Sequence, residues 1–249
     1  MSGHSKWATI KHKKGATDKA RGKQFAKLIK QVEVAARAGG GDRESNPTLR
    51  TMFQKARAAS VPLDTIERAG KRGTGELEGV EYQEVNYEGY APGGVAVYVE
   101  VLTDNRNRTG PEMRSVFSKN GGSIAEPGAV AWQFERKGIV TVDGAVDEDE
   151  LMEAALEAGA EDISRDAENN WHVVADGSAT HEVSSALEAA GYAVMSAELT
   201  MIPSSLITID SLETAKAILK VIEALDDHDD VQEVYANFDI PDALMAELD

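Results

Sequence analysis

The sequence predicts an α+β protein of three domains: a basic N-terminal three-helix domain and two α+β domains of ferredoxin-like character, the third inserted into the second. Three observations predict this. Apolar residues recur at helical spacing before residue 70 and alternate at strand spacing beyond residue 80. A glycine-rich stretch, Gly73-Thr74-Gly75-Glu76-Leu77-Glu78-Gly79, separates the two regimes. The charge changes sign across it: residues 1–75 hold 17 Lys and Arg against 6 Asp and Glu, a net of +11, and the rest hold 9 against 37, a net of −28. The expected domain limits are 1–75, 76–135 together with 202–249, and 136–201.

Residues 1–16 carry glycine, lysine and histidine without sustained periodicity and read as an extended arm. From residue 18 to 38, Phe25, Leu28, Ile29, Val32 and Ala36 fall on one helical stripe that ends at Gly39-Gly40-Gly41. Asn46 and Pro47 open a second helix burying Leu49, Met52, Phe53 and Ala56, and a short third one follows Pro62 and stops at Gly70. Beyond the glycine stretch, Val95, Val97, Val99 and Val101 alternate as in a strand with one face in a core. A helix is expected over 111–120 and strands over 130–135 and 138–142. Residues 138–201 then read strand, helix, strand, strand, helix, strand, the order of a split βαβ unit. The flanking pieces, 80–135 and 204–240, supply the elements of a second α+β layer.

At 249 residues, the chain is long enough for several substantial cores. It has no run of about 18 apolar residues and no secretion signal at its basic start, so the expected location is cytoplasmic and no membrane partner is expected. The absence of cysteine excludes disulfides, thiolate metal sites and cysteine nucleophiles. A net charge of −17 would repel a polyanion, but its uneven distribution makes the molecule a dipole that draws a polyanion to one end.

The most informative pattern is a second stripe on the first helix. Lys19, Lys23, Lys27 and Lys30 cluster roughly 150° from the apolar stripe, forming a line of ammonium groups. Such a row suits a phosphate backbone, because each lysine that neutralises a phosphate releases counterions without reading sequence; the alternative is a solvated helix face. The arm adds Lys6, Lys11, His12, Lys13 and Lys14, with Trp7 either stacking on an unpaired base or anchoring the arm to the bundle. Arg50 and Arg57 on the second helix would widen the patch or serve as ion-pair partners. A second candidate contact is the loop Thr103-Asp104-Asn105-Arg106-Asn107-Arg108-Thr109, where Asn105, Arg106, Asn107 and Arg108 precede a helix N-terminus and could meet an anion or RNA, or simply make a turn and cap.

Catalytic patterns are missing. The five histidines are scattered, and no HExxH, GxSxG, GxxxxGK[ST] or GxGxxG motif occurs. Asp226, Asp227, Asp229 and Asp230 could attract a cation but read better as a turn after a helix. The expectation is no enzyme, no cofactor, no metal and no small-molecule substrate. A helix-turn-helix reading is weak, because the would-be reading helix, 63–69, is about two turns long with few residues that read base edges.

Gly3-His4-Ser5-Lys6-Trp7, Ile10-Lys11-His12-Lys13-Lys14, Asp18, Arg21-Gly22-Lys23 and Phe25 resemble the opening signature of the YebC/PmpR family, which includes mitochondrial translational activators of a cytochrome oxidase subunit. The resemblance continues through the 103–109 motif, Asn120-Gly121-Gly122, Met201-Ile202-Pro203, Asp229-Asp230-Val231-Gln232 and Tyr235-Ala236-Asn237-Phe238, so it covers essentially the whole chain. It implies three domains with the third inserted in the second, and no enzymatic activity. It also places Arg21 within the basic signature. Bacterial members are described as DNA-binding transcriptional regulators; mitochondrial relatives and some bacterial ones act in translation, assisting ribosomes on stretches such as consecutive prolines. The expected activity is therefore nucleic-acid binding that regulates gene expression, with DNA as target. One alternative is a ribosome-associated translation factor that contacts ribosomal RNA and relieves stalling. A second is an acidic scaffold for protein partners.

Overall fold

The first apolar stripe folds into α1 (Asp18–Gly39) in a computed structural model that describes residues 18–166 and 169–248. Val32 and Ala36 are buried, and Phe25, Leu28 and Ile29 pack around them. Asn46 caps α2 (Pro47–Ala58) by accepting the Leu49 N–H at 3.0 Å, while its amide donates to Ala35 O and Gly40 O and ties the cap to the end of α1. The third helix, α3 (Leu63–Gly73), runs past Gly70, where the sequence reading ended it. Its last turn is held to α1 by Arg72, whose Nε donates to Glu33 Oε2 at 2.8 Å, and Gly73 lies where a Cβ would collide with the Glu33 carbonyl. Every residue of this core lies between 25 and 69. Burying a side chain such as Ile66 there contributes about 1.5–3 kcal/mol.

The fold is α+β, with this helical region followed by two sheet-containing domains. β1 (Gln83–Ala91) and β2 (Val95–Thr103) form a hairpin whose turn needs Gly93 and Gly94 at φ 78° and 74°. β3 (Ser123–Ala125) and β9 (Val231–Ala236) complete an antiparallel sheet in the order β3-β1-β2-β9. α4 (Arg106–Lys119) and α7 (Leu212–Asp226) cover one face, packing Met113, Phe117, Ile218, Ile222 and Leu225 against Val95, Val97, Val99 and Val101. A short parallel pair, β8 (Ile207–Thr208) with β10 (Phe238–Asp239), flanks this domain.

Between β3 and β8 the chain builds the second sheet from β4 (Phe134–Val142), β5 (Asp162–Arg165), β6 (Trp171–Asp176) and β7 (Val194–Pro203), with helices α5 (Glu148–Glu157) and α6 (Thr180–Ala189). Its order, β5-β6-β4-β7 with every pair antiparallel, is that of the ferredoxin-like unit. The other face of β2 meets this second unit: Ala96, Tyr98, Val130, Phe134 and Tyr235 form a separate buried cluster with Met201 beside it.

Two local expectations are corrected. The strands expected over 130–135 and 138–142 are one strand, β4, entered through a 3₁₀ turn at Ala131–Gln133. The helix expected to start at Pro111 starts at Arg106. Asn105 is its N-cap, accepting the Arg108 N–H at 3.1 Å, and Pro111 sits within the helix, where its fixed φ is compatible with the backbone at the loss of one hydrogen bond. The segment read as a loop is thus the end of a strand and the first turn of a helix.

Candidate functional site

The arm residues Lys6, Trp7, Lys11, His12, Lys13 and Lys14, and the side chain of Lys19, lie outside the described residues. The other three stripe lysines reach across to the turn that follows α7, where the helix leaves its last carbonyls without intrahelical donors and has no basic residue of its own. Lys23 Nζ donates to Asp227 O at 2.8 Å and lies 2.8 Å from Asp227 Oδ1. Lys27 Nζ meets Asp226 O at 3.0 Å and Asp226 Oδ1 at 2.9 Å. Lys30 Nζ meets Asp229 O at 2.8 Å and Asp230 Oδ1 at 2.9 Å, and sits 5.4 Å from the centre of the Tyr82 ring. Each ammonium therefore holds one carbonyl and one carboxylate; Lys23 and Lys27 cap the C-terminus of α7, a helix from another domain, and Lys30 holds the turn beyond it.

Asp230 is the node of this junction, and its side chain is only 6% exposed. Its Oδ2 accepts from Arg108 Nη2 at 2.7 Å and from Thr109 Oγ1 at 2.9 Å. The Thr109 hydroxyl has one proton and two acceptors in reach, Asp230 Oδ2 and, at 3.1 Å, Asn105 O; the carboxylate is nearer and charged and is the stronger acceptor. Thr109 Oγ1 then accepts from Thr103 Oγ1 at 2.7 Å, and Thr103 Oγ1 accepts from Asn105 N at 2.9 Å, a one-way chain that begins at the α4 cap. Burial alone would raise the Asp230 pKa, but the hydrogen bonds from Arg108, Lys30 and Thr109 outweigh it and hold the carboxyl well below the usual carboxylate range. Its backbone N–H donates to His228 Nδ1 at 3.2 Å, and His228 Nε2 lies 3.1 Å from Glu112 Oε2.

The structure thus joins two patterns that the sequence kept apart, the lysine stripe and the 105–108 segment, through an acidic turn that sequence reasoning had set aside. Asn105 and Arg108 serve this scaffold, Arg108 also bridging to Asp104 at 2.9 Å, while Arg106 and Asn107 are exposed. Arg50 donates to the carbonyls of Arg43 and Glu44, which fixes the α1–α2 connection, and Arg57 and Arg21 are exposed on their helices. Tyr82 was missed, and Asp226, Asp227, Asp229 and Asp230 were read as a turn and Thr103 and Thr109 as the ends of a loop, not as partners of the stripe. The signal for the aspartates was charge complementarity between a lysine stripe and an acidic cluster about 200 positions away.

In the acidic part of the chain, the Lys and Arg residues are placed unevenly. Arg136 pairs with Glu100, Lys137 with Glu135 and Glu161, and Arg165 stacks over Trp171. The other six, Arg106, Arg108, Arg114, Lys119, Lys216 and Lys220, all lie on α4 and α7, each of them exposed. No group of three or more His, Cys, Asp or Glu side chains among the described residues is arranged to hold a metal ion, and none of the described helices is long and apolar enough to cross a membrane.

Two family models match the chain, one described as the TACO1/YebC protein N-terminal domain over residues 5–76 and one as the TACO1/YebC second and third domain over residues 82–238. A protein of Halothermothrix orenii named "probable transcriptional regulatory protein" is 55% identical over all of this chain and 99% of its own length. A protein of Geobacter sulfurreducens with the same description is 54% identical over the full length of both. Among solved structures, a conserved hypothetical protein from Aquifex aeolicus superposes with a TM-score of 0.80 at 47% identity, over 90% of this chain and 93% of that one. The chain belongs to the TACO1/YebC family.

Proposed function

We propose that this protein is a non-enzymatic, cytoplasmic regulator of gene expression that binds nucleic acid, with DNA as its target. In this reading the phosphate backbone is held by the arm and by Lys19, Lys23, Lys27 and Lys30, with Arg21, Arg50 and Arg57 beside them and the 105–108 end of α4 as a second contact. The observation that carries the reading is the lysine row itself. Lys23, Lys27 and Lys30 already hold a row of anionic and carbonyl oxygens at 2.8–3.0 Å, the donor geometry that phosphate oxygens require. The relatives' regulatory names and the net of +11 in residues 1–75 support it. Lysine contacts of this kind position a duplex without reading its sequence.

The test is a competition at one near-physiological salt concentration between purified ribosomes and genomic DNA fragments for the labelled protein. The variant carrying Lys19→Ala, Lys23→Ala, Lys27→Ala and Lys30→Ala is run alongside. Preference for particular DNA fragments that the variant loses is the expected result, together with a log K against log salt slope shallower by about 3–4 in the variant. An unchanged slope would refute the role of the stripe. Preference for ribosomes, lost in the variant, would replace transcription by translation.

A further inference from the structure

We infer that the 226–230 turn is an internal competitor for nucleic acid: it occupies the ammonium groups of Lys23, Lys27 and Lys30, so that a phosphate backbone reaches the stripe only when the helical unit parts from α7. This rests on the nucleic-acid reading above and adds its regulation.

Four features of the junction carry it. The turn offers what a phosphate backbone offers, a succession of oxygens with formal negative charge, and it engages each lysine through both a carboxylate and a carbonyl. The helical unit needs nothing from α7 to remain folded, because its buried core is drawn from residues 25–69. It is joined to β1 through residues 74–82, which include Gly75 and Gly79 and contain neither helix nor strand. Finally, opening leaves the Asp230 carboxylate anchored: when Lys30 withdraws from Oδ1, Oδ2 keeps its bonds from Arg108 and Thr109, and Oδ1 is left to the water that enters behind the lysine. The lysine ammoniums are released to water on opening, and a polyanion can then supply all three with new acceptors at once. The same exchange selects for length, since a lone phosphate replaces the acceptors of one lysine and a backbone replaces those of three.

The experiment uses the full chain with Asp226→Asn, Asp227→Asn and Asp229→Asn. An equal-charge control carries Asp149→Asn, Glu153→Gln and Glu157→Gln, three exposed positions of α5. Asp227→Asn alone is the mildest variant, since that side chain is 71% exposed. Affinity for a labelled 20-base-pair duplex is measured for each. Because the chain has no cysteine, dyes at Ala58→Cys and Ser118→Cys, on exposed positions of α2 and α4, report the separation of the two units. If the closed form predominates, the triple variant binds about tenfold tighter than the wild type, the single variant falls between, and energy transfer drops both in the triple variant and when the wild type binds duplex. A triple variant no tighter than the α5 control, or energy transfer that duplex leaves unchanged, would overturn the inference while leaving nucleic-acid binding intact. Failure of every protein, wild type included, to bind the duplex would instead remove the nucleic-acid reading and this inference with it.

Discussion

Among the described residues, the helical unit's contacts with the sheet domains and the contact between the two sheet domains are built from opposite materials. Where the helical unit meets the sheet domains, the contacts are ammonium groups on carbonyl and carboxylate oxygens: Lys23, Lys27 and Lys30 on the turn after α7 of the first, and Lys55 on Glu198 in β7 of the second, at 2.8 Å. Where the two sheet domains meet, Tyr98, Phe134 and Tyr235 pack with ring centroids 6.0 Å and 6.4 Å apart, and Val130 is wholly buried beside them. That junction is also pinned by Glu88, whose carboxylate accepts the N–H groups of Gly128, Val130 and Ala131 at 2.6, 2.6 and 2.8 Å. Apolar burial and enclosed hydrogen bonds are not screened by salt; the open Lys23–Asp227 pair is, and the more buried Lys27–Asp226 and Lys30–Asp230 pairs are screened less. The difference teaches that a charged partner competes directly with the contacts that hold the helical unit, whereas the contact between the two sheet domains offers it nothing to displace.

The largest effect expected is at the apolar junction. Phe134→Ala removes a ring that is 6% exposed and leaves a cavity between two domains, which costs about 3–5 kcal/mol in a denaturant titration. A loss below about 1 kcal/mol would mean that this interface closes around the gap and that the contrast with the ionic junction is overstated. Glu88→Gln comes next, at about 1.5–3 kcal/mol, because it removes the charge from three enclosed hydrogen bonds. Burial raises the Glu88 pKa and the three backbone donors lower it by more, so the net shift is downward. A depressed carboxyl contributes stability that is fully present above its unfolded pKa and lost as pH falls through its folded one. The gap between wild type and Glu88→Gln should therefore be constant near neutrality and close as the solution is acidified below the ordinary carboxylate range. A gap that survives deep acidification would point to geometry rather than charge.

Much of this was legible in the sequence, and what was not had a common cause. The α1 stripe, the Asn46 cap, the valine strand and the βαββαβ order are local patterns, fixed by periodicities of 3.6 and 2 and by capping chemistry within a few residues. The start of α4 was misplaced because proline is favoured at the first position of a helix, and that rule was preferred to the Asn105 cap six residues earlier. The fate of the lysine stripe was illegible for a different reason. A charged helix face looks the same in sequence whether it faces water, phosphate or another domain, and here the partner acids lie some 200 residues away in a turn whose own composition explained it. The two patterns were both visible; the contact between them is a property of the tertiary fold alone.

The smallest effect expected is also the one that tests the comparison most sharply. Lys23 holds Asp227, whose side chain is 71% exposed, and an ion pair that open to water is worth at most about 0.5 kcal/mol after screening and side-chain entropy. Lys23→Ala should therefore leave the denaturation midpoint nearly unchanged while weakening attachment of the helical unit, read as increased hydrogen exchange in the 226–230 turn, whose carbonyls lose a capping donor. The distinction matters because stability and attachment are separate quantities here: α1–α3 keep their own core whether or not they touch α7. A stability loss of about 2 kcal/mol or more would show that the helical unit and the sheet domains unfold together. The ionic junction would then be as cohesive as the apolar one, and a phosphate backbone would have to melt part of the fold in order to displace it.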